Sequence, residues 1–444
     1  MNVVRQVSHA IASAAFVAAL SLGPCTPAWS ADTAQLERRL DDSLRLIEAL
    51  TSRLEQLEKQ LGATRAPADT SVASVAPARA ASTPTPDARL EEVERTLGQL
   101  AASNSRDLRE PGLPLHGFVD VGLVGSRAAL PGQRDGFAVG SLDFYLTPEL
   151  GPHVKTLVEL NFGITDRGDT EADLERAQIG YAFSDALTVW LGRFHTPFGY
   201  WNMAFHHGAQ LQPSILRPRL LDFEDDGGIL PVHTTGAWAN GSVRLGSDRL
   251  VYNLYLGNGT RIANGQLNPN PGGDDNGNKV LGFGVNYRFG AALDGFTVGV
   301  SGLRQSVNAY DANDALTSRT RLLLLGAHAA YDNDGWELIG EYYRLRNRDL
   351  GDGASHGSWT GYAHIGRTFD DRWMPYYRFE KAALDQTDNY FLAQTNGRSY
   401  RRHVLGLRYN ADPRAAVKLE LNRTDDAGIG HAIDQFRLQY AVSF

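Results

Sequence analysis

This chain of 444 residues has a single cysteine and only one long apolar run. Its single cysteine, Cys25, lies in a segment predicted to be removed, which leaves the mature chain without disulfide or thiol chemistry. A helical membrane protein is excluded, because only residues 10–22 form a long apolar run and the mean hydropathy is −0.30. The net charge of −8 argues against a nucleic-acid partner. A transmembrane β-barrel stays possible, since alternation dilutes the apolar residues of its strands.

The N-terminal residues have the pattern of an export signal. A basic residue precedes the apolar run 10–22, and residues 28–30 (Ala-Trp-Ser) place small side chains at both positions that signal peptidase reads. We therefore predict a signal peptide at residues 1–30, so that the mature protein is exported. The alternative is a lipoprotein signal that ends at Cys25, and Pro24 beside it fits that motif poorly.

A heptad pattern follows the export signal. Its core positions hold Leu36, Leu40, Ser43, Ile47, Leu50, Leu54, Leu57 and Leu61. This pattern predicts a coiled coil at residues 36–61, with a lone amphipathic helix packed on a domain as the alternative. Residues 62–87 are rich in Ala, Pro, Thr and Ser and predict a flexible linker. Apolar residues at helical spacing predict a short second helix at residues 88–108.

From residue 115 to residue 444 the period changes from helical to alternating. The candidate strands lie at residues 115–124, 137–147, 153–163, 173–183, 187–195, 233–245, 249–257, 279–289, 296–305, 319–331, 335–346, 358–369, 373–382, 401–410, 415–424 and 434–444. Sixteen alternating strands predict an all-β fold, an antiparallel transmembrane barrel, because bacterial single-chain barrels use even strand numbers. The last strand is typical of such a wall: Phe436, Leu438, Tyr440 and Phe444 share one face, with Gln439 and other polar residues opposite.

The connections between these strands differ in length in a regular way. Even-numbered strands are followed by short polar turns, at residues 184–186, 246–248, 332–334, 370–372 and 411–413. Odd-numbered strands are followed by longer, Gly-rich loops. Short periplasmic turns and long external loops are typical of outer-membrane barrels. The first strand is therefore predicted to begin, and the last strand to end, on the periplasmic side, where the coiled coil is also predicted to lie.

The longest connection, residues 196–232, follows the fifth strand. Residues 192–199 (Gly-Arg-Phe-His-Thr-Pro-Phe-Gly) are similar to the exit of strand five in the DcaP-like porins and, more loosely, in the phosphate-selective porins. The resemblance implies a sixteen-stranded trimeric porin with a periplasmic coiled coil, in which this loop folds into the lumen. The chain departs from the lysine-rich phosphate-selective pattern, because its barrel has only Lys155, Lys279, Lys381 and Lys418.

Charged residues on the polar faces of the strands are predicted to line the lumen. The bases are Lys155, Arg176, Arg244, Arg288, Arg378, Arg402, Arg408, Lys418 and Arg437. The acids are Asp120, Asp143, Glu159, Glu341, Glu380 and Glu420. Because the bases outnumber the acids, and guanidinium groups favour anions, we hypothesise an anion-preferring pore. The alternative is that these charges pair with each other across the lumen and only keep its wall hydrated.

The predicted constriction loop holds two charge clusters and several histidines. Its candidate pore-lining residues are His195, His206, His207, Arg217, Arg219, Asp222, Glu224, Asp225 and Asp226. Adjacent clusters of opposite sign would set a transverse field across the pore; a loop packed on a neighbouring subunit is the alternative. His206 and His207 on a strand would point to opposite sides, so we expect no metal ion and prefer a pH-sensitive constriction.

Together these patterns predict an outer-membrane porin, a passive diffusion channel for small hydrophilic or anionic solutes. The expected partners are outer-membrane lipid, lipopolysaccharide and further copies of the chain, most simply a trimer. We expect no catalytic residue and no cofactor. The alternatives are a barrel that anchors a coiled-coil tether to the cell wall, and a barrel enzyme, for which we find no Ser-His or Asp-His motif.

Overall fold

The computed structural model describes residues 115–127, 135–148, 150–164, 168–270 and 272–444. The predicted signal peptide, coiled coil, linker and second helix (residues 1–30, 36–61, 62–87 and 88–108) lie outside the described residues. Among the described residues, no helix is long and apolar enough to cross a membrane.

Eighteen strands make up about two thirds of the described residues. They are β1 (Leu115–Arg127), β2 (Gly136–Leu146), β3 (Val154–Ile164), β4 (Thr170–Ser184), β5 (Leu187–His195), β6 (His233–Leu245), β7 (Asp248–Gly257), β8 (Arg261–Ala263), β9 (Gln266–Asn268), β10 (Val280–Arg288), β11 (Phe296–Tyr310), β12 (Leu316–Asn333), β13 (Trp336–Asp349), β14 (Ser355–Arg367), β15 (Trp373–Ala383), β16 (Tyr400–Asp412), β17 (Ala415–Asp426) and β18 (Ile433–Ser443). The described helices are single turns: α1 (Trp201–Ala204), α2 (Asn389–Leu392) and the 3-10 turns Arg219–Leu221 and Ala291–Leu293.

The sixteen long strands form one closed antiparallel barrel. Each pairs with the next along the chain; β7 pairs directly with β10, because β8 and β9 form a small hairpin inside the intervening loop. The ring closes where β18 pairs with β1, from Phe118 opposite Ser443 to Arg127 opposite Asp434. The prediction of a sixteen-stranded barrel is therefore confirmed, and each predicted strand corresponds to one long strand. The β8–β9 hairpin was not predicted.

On many strands the barrel buries charged side chains and exposes apolar ones. On β17, Lys418 and Glu420 are 0% exposed, whereas Leu419 and Leu421 between and beside them are 39% and 52% exposed. The same inversion holds on β18, where Tyr440 is 51% and Gln439 8% exposed. One end of β12 and β13 reverses this pattern: Arg321 and Arg344 are exposed, whereas Leu322 and Leu345 are 0% exposed. A wall with an apolar outside suits lipid, because every polar group there would lack a partner.

The connections differ in length, but they alternate less regularly than predicted, since residues 289–295 between β10 and β11 form a longer connection than residues 311–315 between β11 and β12. At the turn between β12 and β13, Asp334 and Gly335 both have positive φ (51° and 74°), which is the type I′ geometry that matches strand twist. At the opposite end of the barrel, residues 258–279 and 384–399 form long loops.

An arginine placed on the lipid-facing side of β16 should destabilise the barrel. Leu405 lies in mid-strand and is 57% exposed, so Leu405→Arg should lower the free energy of unfolding by about 2–4 kcal/mol, the cost of a lipid-facing arginine near the bilayer midplane. Urea titration of protein folded into lipid vesicles measures it. The control Leu405→Met should cost less than about 1.5 kcal/mol. An unchanged value for Leu405→Arg would mean that this face does not contact lipid.

Candidate functional site: the loop inside the barrel

The loop between β5 and β6, residues 196–232, lies inside the barrel. Its backbone N–H groups donate to inward carboxylates on three separate strands. Trp201 N bonds Glu341 of β13 at 2.7 Å, and Arg219 N bonds Glu380 of β15 at 2.8 Å. Ile215 N bonds Glu420 of β17 at 2.9 Å. Because these strands lie across the ring from β5 and β6, the loop spans the lumen.

An apolar side of the loop packs against the inward face of the wall. The buried loop residues are Phe198, Trp201, Phe205, Leu220, Leu221, Ile229, Leu230 and Val232. Phe198 meets Tyr343 of β13 edge to face at 5.7 Å between ring centroids. Burying a side chain of this size contributes about 1.5–3 kcal/mol, so the loop is held by packing as well as by hydrogen bonds.

Three of the predicted wall bases bind the loop's backbone carbonyls. Arg378 is 0% exposed and donates to the carbonyl oxygens of Leu216 (2.9 Å) and Arg217 (3.0 Å) and to Glu380 (2.9 Å). Arg408 donates to Gln212 O at 2.8 Å, and Lys418 donates to Ala209 O. These cations therefore anchor the loop, because buried carbonyls require donors.

The other predicted wall bases keep more contact with solvent. They are the exposed Lys155 and Arg244 and the half-buried Arg176, Arg288, Arg402 and Arg437. Arg176 pairs with Glu159, whereas Arg402 donates to Thr424 at 3.1 Å and Arg437 to Gln435 at 3.3 Å.

The two cations of the loop do not face solvent. Arg217 is buried, donates to Leu221 O at 2.9 Å and lies 3.8 Å above the ring of Phe223. Arg219 pairs with Asp426 of β17 at 2.6 Å. Both positive members of the predicted loop clusters are therefore bound by the protein itself, and Arg217 lies within the electrostatic reach of Asp222, Asp226 and Glu224; a transverse field between the two clusters stays a prediction.

Three of the loop's four acids remain accessible. Glu224 is buried, whereas Asp222 is half-buried and Asp225 and Asp226 are exposed. Although its side chain reaches solvent, partial desolvation and the nearby carboxylates of Asp226 and Glu224 raise the pKa of Asp225 to about 6. Burial also raises the pKa of Asp222 to about 7, against the opposing effect of the guanidinium of Arg402. Acids on the loop thus face arginines on the wall, a field that sequence adjacency did not indicate.

Four histidines and a glutamate meet where the loop leaves and rejoins the wall. His195 ends β5, His233 begins β6, and His206 and His207 follow α1. Glu175 of β4 is the fifth member; all five are buried, and one possible ligand atom from each lies within 4.8 Å of the others.

The expectation that His206 and His207 diverge is wrong. They lie in a bend rather than a strand, and their ring centroids are 4.9 Å apart. Burial lowers the pKa of His206 well below its usual value. Burial alone would also lower that of His207, but the carboxylates of Glu159, Glu175 and Asp143 outweigh it and raise the pKa.

The inward position of Glu175 could not be predicted from strand alternation, because this residue lies at an irregularity of β4. Glu159 pairs with Arg176, but the next residue of β3, Leu160, pairs with Leu174, which leaves Glu175 as the extra residue of a β-bulge. Bulges re-aim side chains, and strict alternation cannot predict one.

Solved structures of outer-membrane barrels share this fold. A loop L8 deletion mutant of OmpT, an outer membrane protein of Vibrio cholerae, is 12% identical with a TM-score of 0.51, over 74% of this chain and 98% of that chain. An anion-selective porin from Comamonas acidovorans is 12% identical with a TM-score of 0.50, over 75% and 99%. No protein-family model and no curated protein matches the sequence. The chain thus has a porin-like barrel fold; its resemblance to the DcaP-like porins stays a prediction.

Removing the main anchor of the loop should release it. In Arg378→Gln the buried Glu380 loses its closest charged partner, although Arg219 N still donates to it, and three loop acceptors lose the guanidinium as a donor. Breaking such a buried pair costs about 3–5 kcal/mol. We expect a lower free energy of unfolding and new chymotrypsin cleavage within residues 196–232 of the folded barrel.

The control for this experiment is Arg244→Gln, which removes an exposed arginine from the end of β6. It should leave both readouts unchanged. Protease resistance of the loop in Arg378→Gln, equal to that of the wild type, would show that the anchor is dispensable.

Proposed function

We propose that this chain is a passive diffusion channel of the bacterial outer membrane for small hydrophilic solutes and ions. The observation that carries the proposal is a sixteen-stranded barrel with an apolar outside and a charged inside, across which residues 196–232 are anchored. Sixteen strands enclose more space than wall side chains alone can fill. A loop fixed across that space narrows it.

The location of the protein follows from the same features. Its lipid-facing wall belongs in an outer membrane, with the short turns, the start of β1 and the end of β18 on the periplasmic side. We propose that the coiled coil of residues 36–61 extends into the periplasm and supports a trimer. Contacts with lipopolysaccharide would form on the outer wall near the long loops.

Ion selectivity depends on charges that stay partly accessible even where they have a protein partner, such as Arg402, which donates to Thr424 and lies 4.0 Å from Glu380. On the wall, Arg402 and Arg437 remain half-buried after Arg378, Arg408 and Lys418 are used as anchors. Accessible guanidinium groups lower the electrostatic cost of an anion, which supports a modest anion preference. Asp222 and its acidic neighbours in the loop oppose it.

Single-channel recording tests the channel itself. Purified full-length protein in a planar bilayer under a salt gradient should give ohmic steps in groups of three, with a reversal potential on the anion side. Cation selectivity would keep the channel and refute the anion preference. A folded, heat-modifiable barrel without conductance would refute the channel and favour an enzyme or a tether.

Ionisation of Asp222 should make selectivity depend on pH. Its carboxyl faces Arg402, Arg217, Asp226 and Glu380, and burial raises its pKa to about 7. Raising the solution from about pH 6 to about pH 8, one unit to either side of that pKa, converts it from mostly neutral to mostly charged. The added negative charge should shift the reversal potential towards cation selectivity.

The pH-dependent shift in reversal potential should be clearly smaller in Asp222→Asn. The shift that remains in this variant comes from Asp225 and other titrating groups. Asp314→Asn removes the same charge from an exposed external loop and should behave like the wild type. Equal shifts in all three proteins would exclude Asp222 as the group responsible.

A further inference from the structure

We propose that His195, His206, His207, His233 and Glu175 form a binding site for one divalent transition-metal ion of the zinc class. Imidazole nitrogen with a carboxylate oxygen is a ligand set that suits Zn²⁺, Ni²⁺ and Cu²⁺ rather than Mg²⁺ or Ca²⁺. The site is separate from the proposed channel function, because it would bind an ion whether or not solutes pass.

The five donors converge from four parts of the chain. Glu175 comes from the bulge in β4, His195 from the end of β5, His233 from the start of β6, and His206 and His207 from the loop. Ligands at about 2.0–2.1 Å from one zinc ion lie about 3.3 Å apart in a tetrahedron. Donor atoms within 4.8 Å of one another can therefore reach a common ion after small rotations.

Outer hydrogen bonds fix the rings as they do in metal sites. Nδ1 of His206 lies 2.7 Å from Oδ1 of Asn202, whose amide nitrogen donates to Thr196 O at 2.9 Å. The amide is thereby oriented, so Nδ1 of His206 carries the proton and its Nε2 holds a lone pair. Nδ1 of His233 contacts Oε2 of Glu224 at 2.7 Å, which leaves Nε2 of His233 facing the cluster.

The remaining two histidines also have outer carboxylates. Nε2 of His195 lies 3.5 Å from Glu159, and Nδ1 of His207 lies 3.5 Å from Asp143. Two of the four rings, His206 and His233, thus have a hydrogen-bonded outer acceptor, and the other two have a carboxylate nearby, although Nε2 of His195 makes no hydrogen bond among the described residues. Metal-binding histidines usually have such a partner, which orients the ring and makes the other nitrogen a better ligand.

The inner atoms are arranged as if a cation belonged between them. Nε2 of His206 and Nε2 of His233 lie 2.9 Å apart, and Oε2 of Glu175 lies 2.8 Å from Nε2 of His233. Nε2 of His207 is buried, lies 3.5 Å from Oε2 of Glu175 and makes no hydrogen bond among the described residues. A buried polar atom without a hydrogen bond is costly.

A proton on His233 is the competing occupant of the cluster. It would bridge His233 to Glu175 or to His206, but a single proton lies between two atoms and leaves Nε2 of His207 unsatisfied. One metal ion can accept lone pairs from all of them and balance the charge of Glu175. Nearby cations oppose an ion: Arg193 lies 3.8 Å from Glu175, and Arg217 donates to the backbone oxygen of His206.

The test uses untagged full-length protein, folded in detergent and stripped of metal with EDTA. Zn²⁺ is supplied both to the folded protein and during refolding, and bound metal is counted by mass spectrometry after equilibrium dialysis. We expect one Zn²⁺ per chain and a higher thermal midpoint. Co²⁺ in place of Zn²⁺ should give the visible absorption of a histidine-bound ion, a readout that needs no variant.

Variants then locate the ion. His206→Gln combined with His233→Gln should weaken Zn²⁺ binding at least about 100-fold, and Glu224→Ala, which removes an outer partner, about 10–100-fold. His431→Gln, an exposed histidine in an external loop, should bind like the wild type. Heat-modifiability confirms that each variant is folded.

Two results would overturn the proposal. The first is a wild-type barrel that retains no stoichiometric Zn²⁺ under either loading protocol and shows no Co²⁺ absorption, which would assign the cluster to a proton. The second is equal binding by the folded double variant, which would place the ion at an adventitious surface site. Neither result depends on conductance, so the channel proposal would be unaffected.

Discussion

Closure of the backbone hydrogen-bond ring is the constraint on which the rest of this structure depends. Lipid offers no partner for an unpaired N–H or C=O group, so the sheet can have no free edge. The pairing of β18 with β1 removes that edge and fixes the register of the whole ring. Alternation then sends one set of side chains to lipid and the other inward. With sixteen strands the inward set cannot fill the interior, and the space that remains is where the loop of residues 196–232 lies.

The loop brings its own backbone into that interior, and the wall charges are distributed to suit it. Acids such as Glu341, Glu380 and Glu420 accept from loop N–H groups, whereas Arg378 and Lys418 donate to loop carbonyls. Each sign of wall charge thus meets the backbone group that it can satisfy. This explains how several ionisable side chains can be completely buried, since an unpaired buried charge would cost several kcal/mol. Structural use of these charges also removes them from the set that can act on a passing ion.

The barrel could be predicted from the sequence because strand alternation is a local pattern that is repeated in every strand. Alternation on β17 or β18 is visible within ten residues, and turn residues mark where each strand ends. The site could not be predicted in the same way, because it depends on contacts between distant parts of the chain. Nothing near Arg378 indicates that it binds carbonyls of residues 216 and 217, and Glu175 reaches the histidines only because a bulge interrupts strand alternation. The separation expected for His206 and His207 assumed a strand, but that segment is a bend after a one-turn helix.

The histidine cluster occupies the place where the loop's position is decided. His195 and His233 are the last and first residues of the strands that the loop connects, and they face each other across the β5–β6 pairing. His206 and His207 belong to the loop itself, and Glu175 belongs to the wall at β4. Any cation held among these five groups would therefore join both ends of the loop to its first segment and to the wall. Its loss would leave buried carboxylates and lone pairs facing each other, which favours separation of those elements. The chemistry of the cluster and the geometry of the lumen are thus coupled through direct contacts, with no need for a longer pathway.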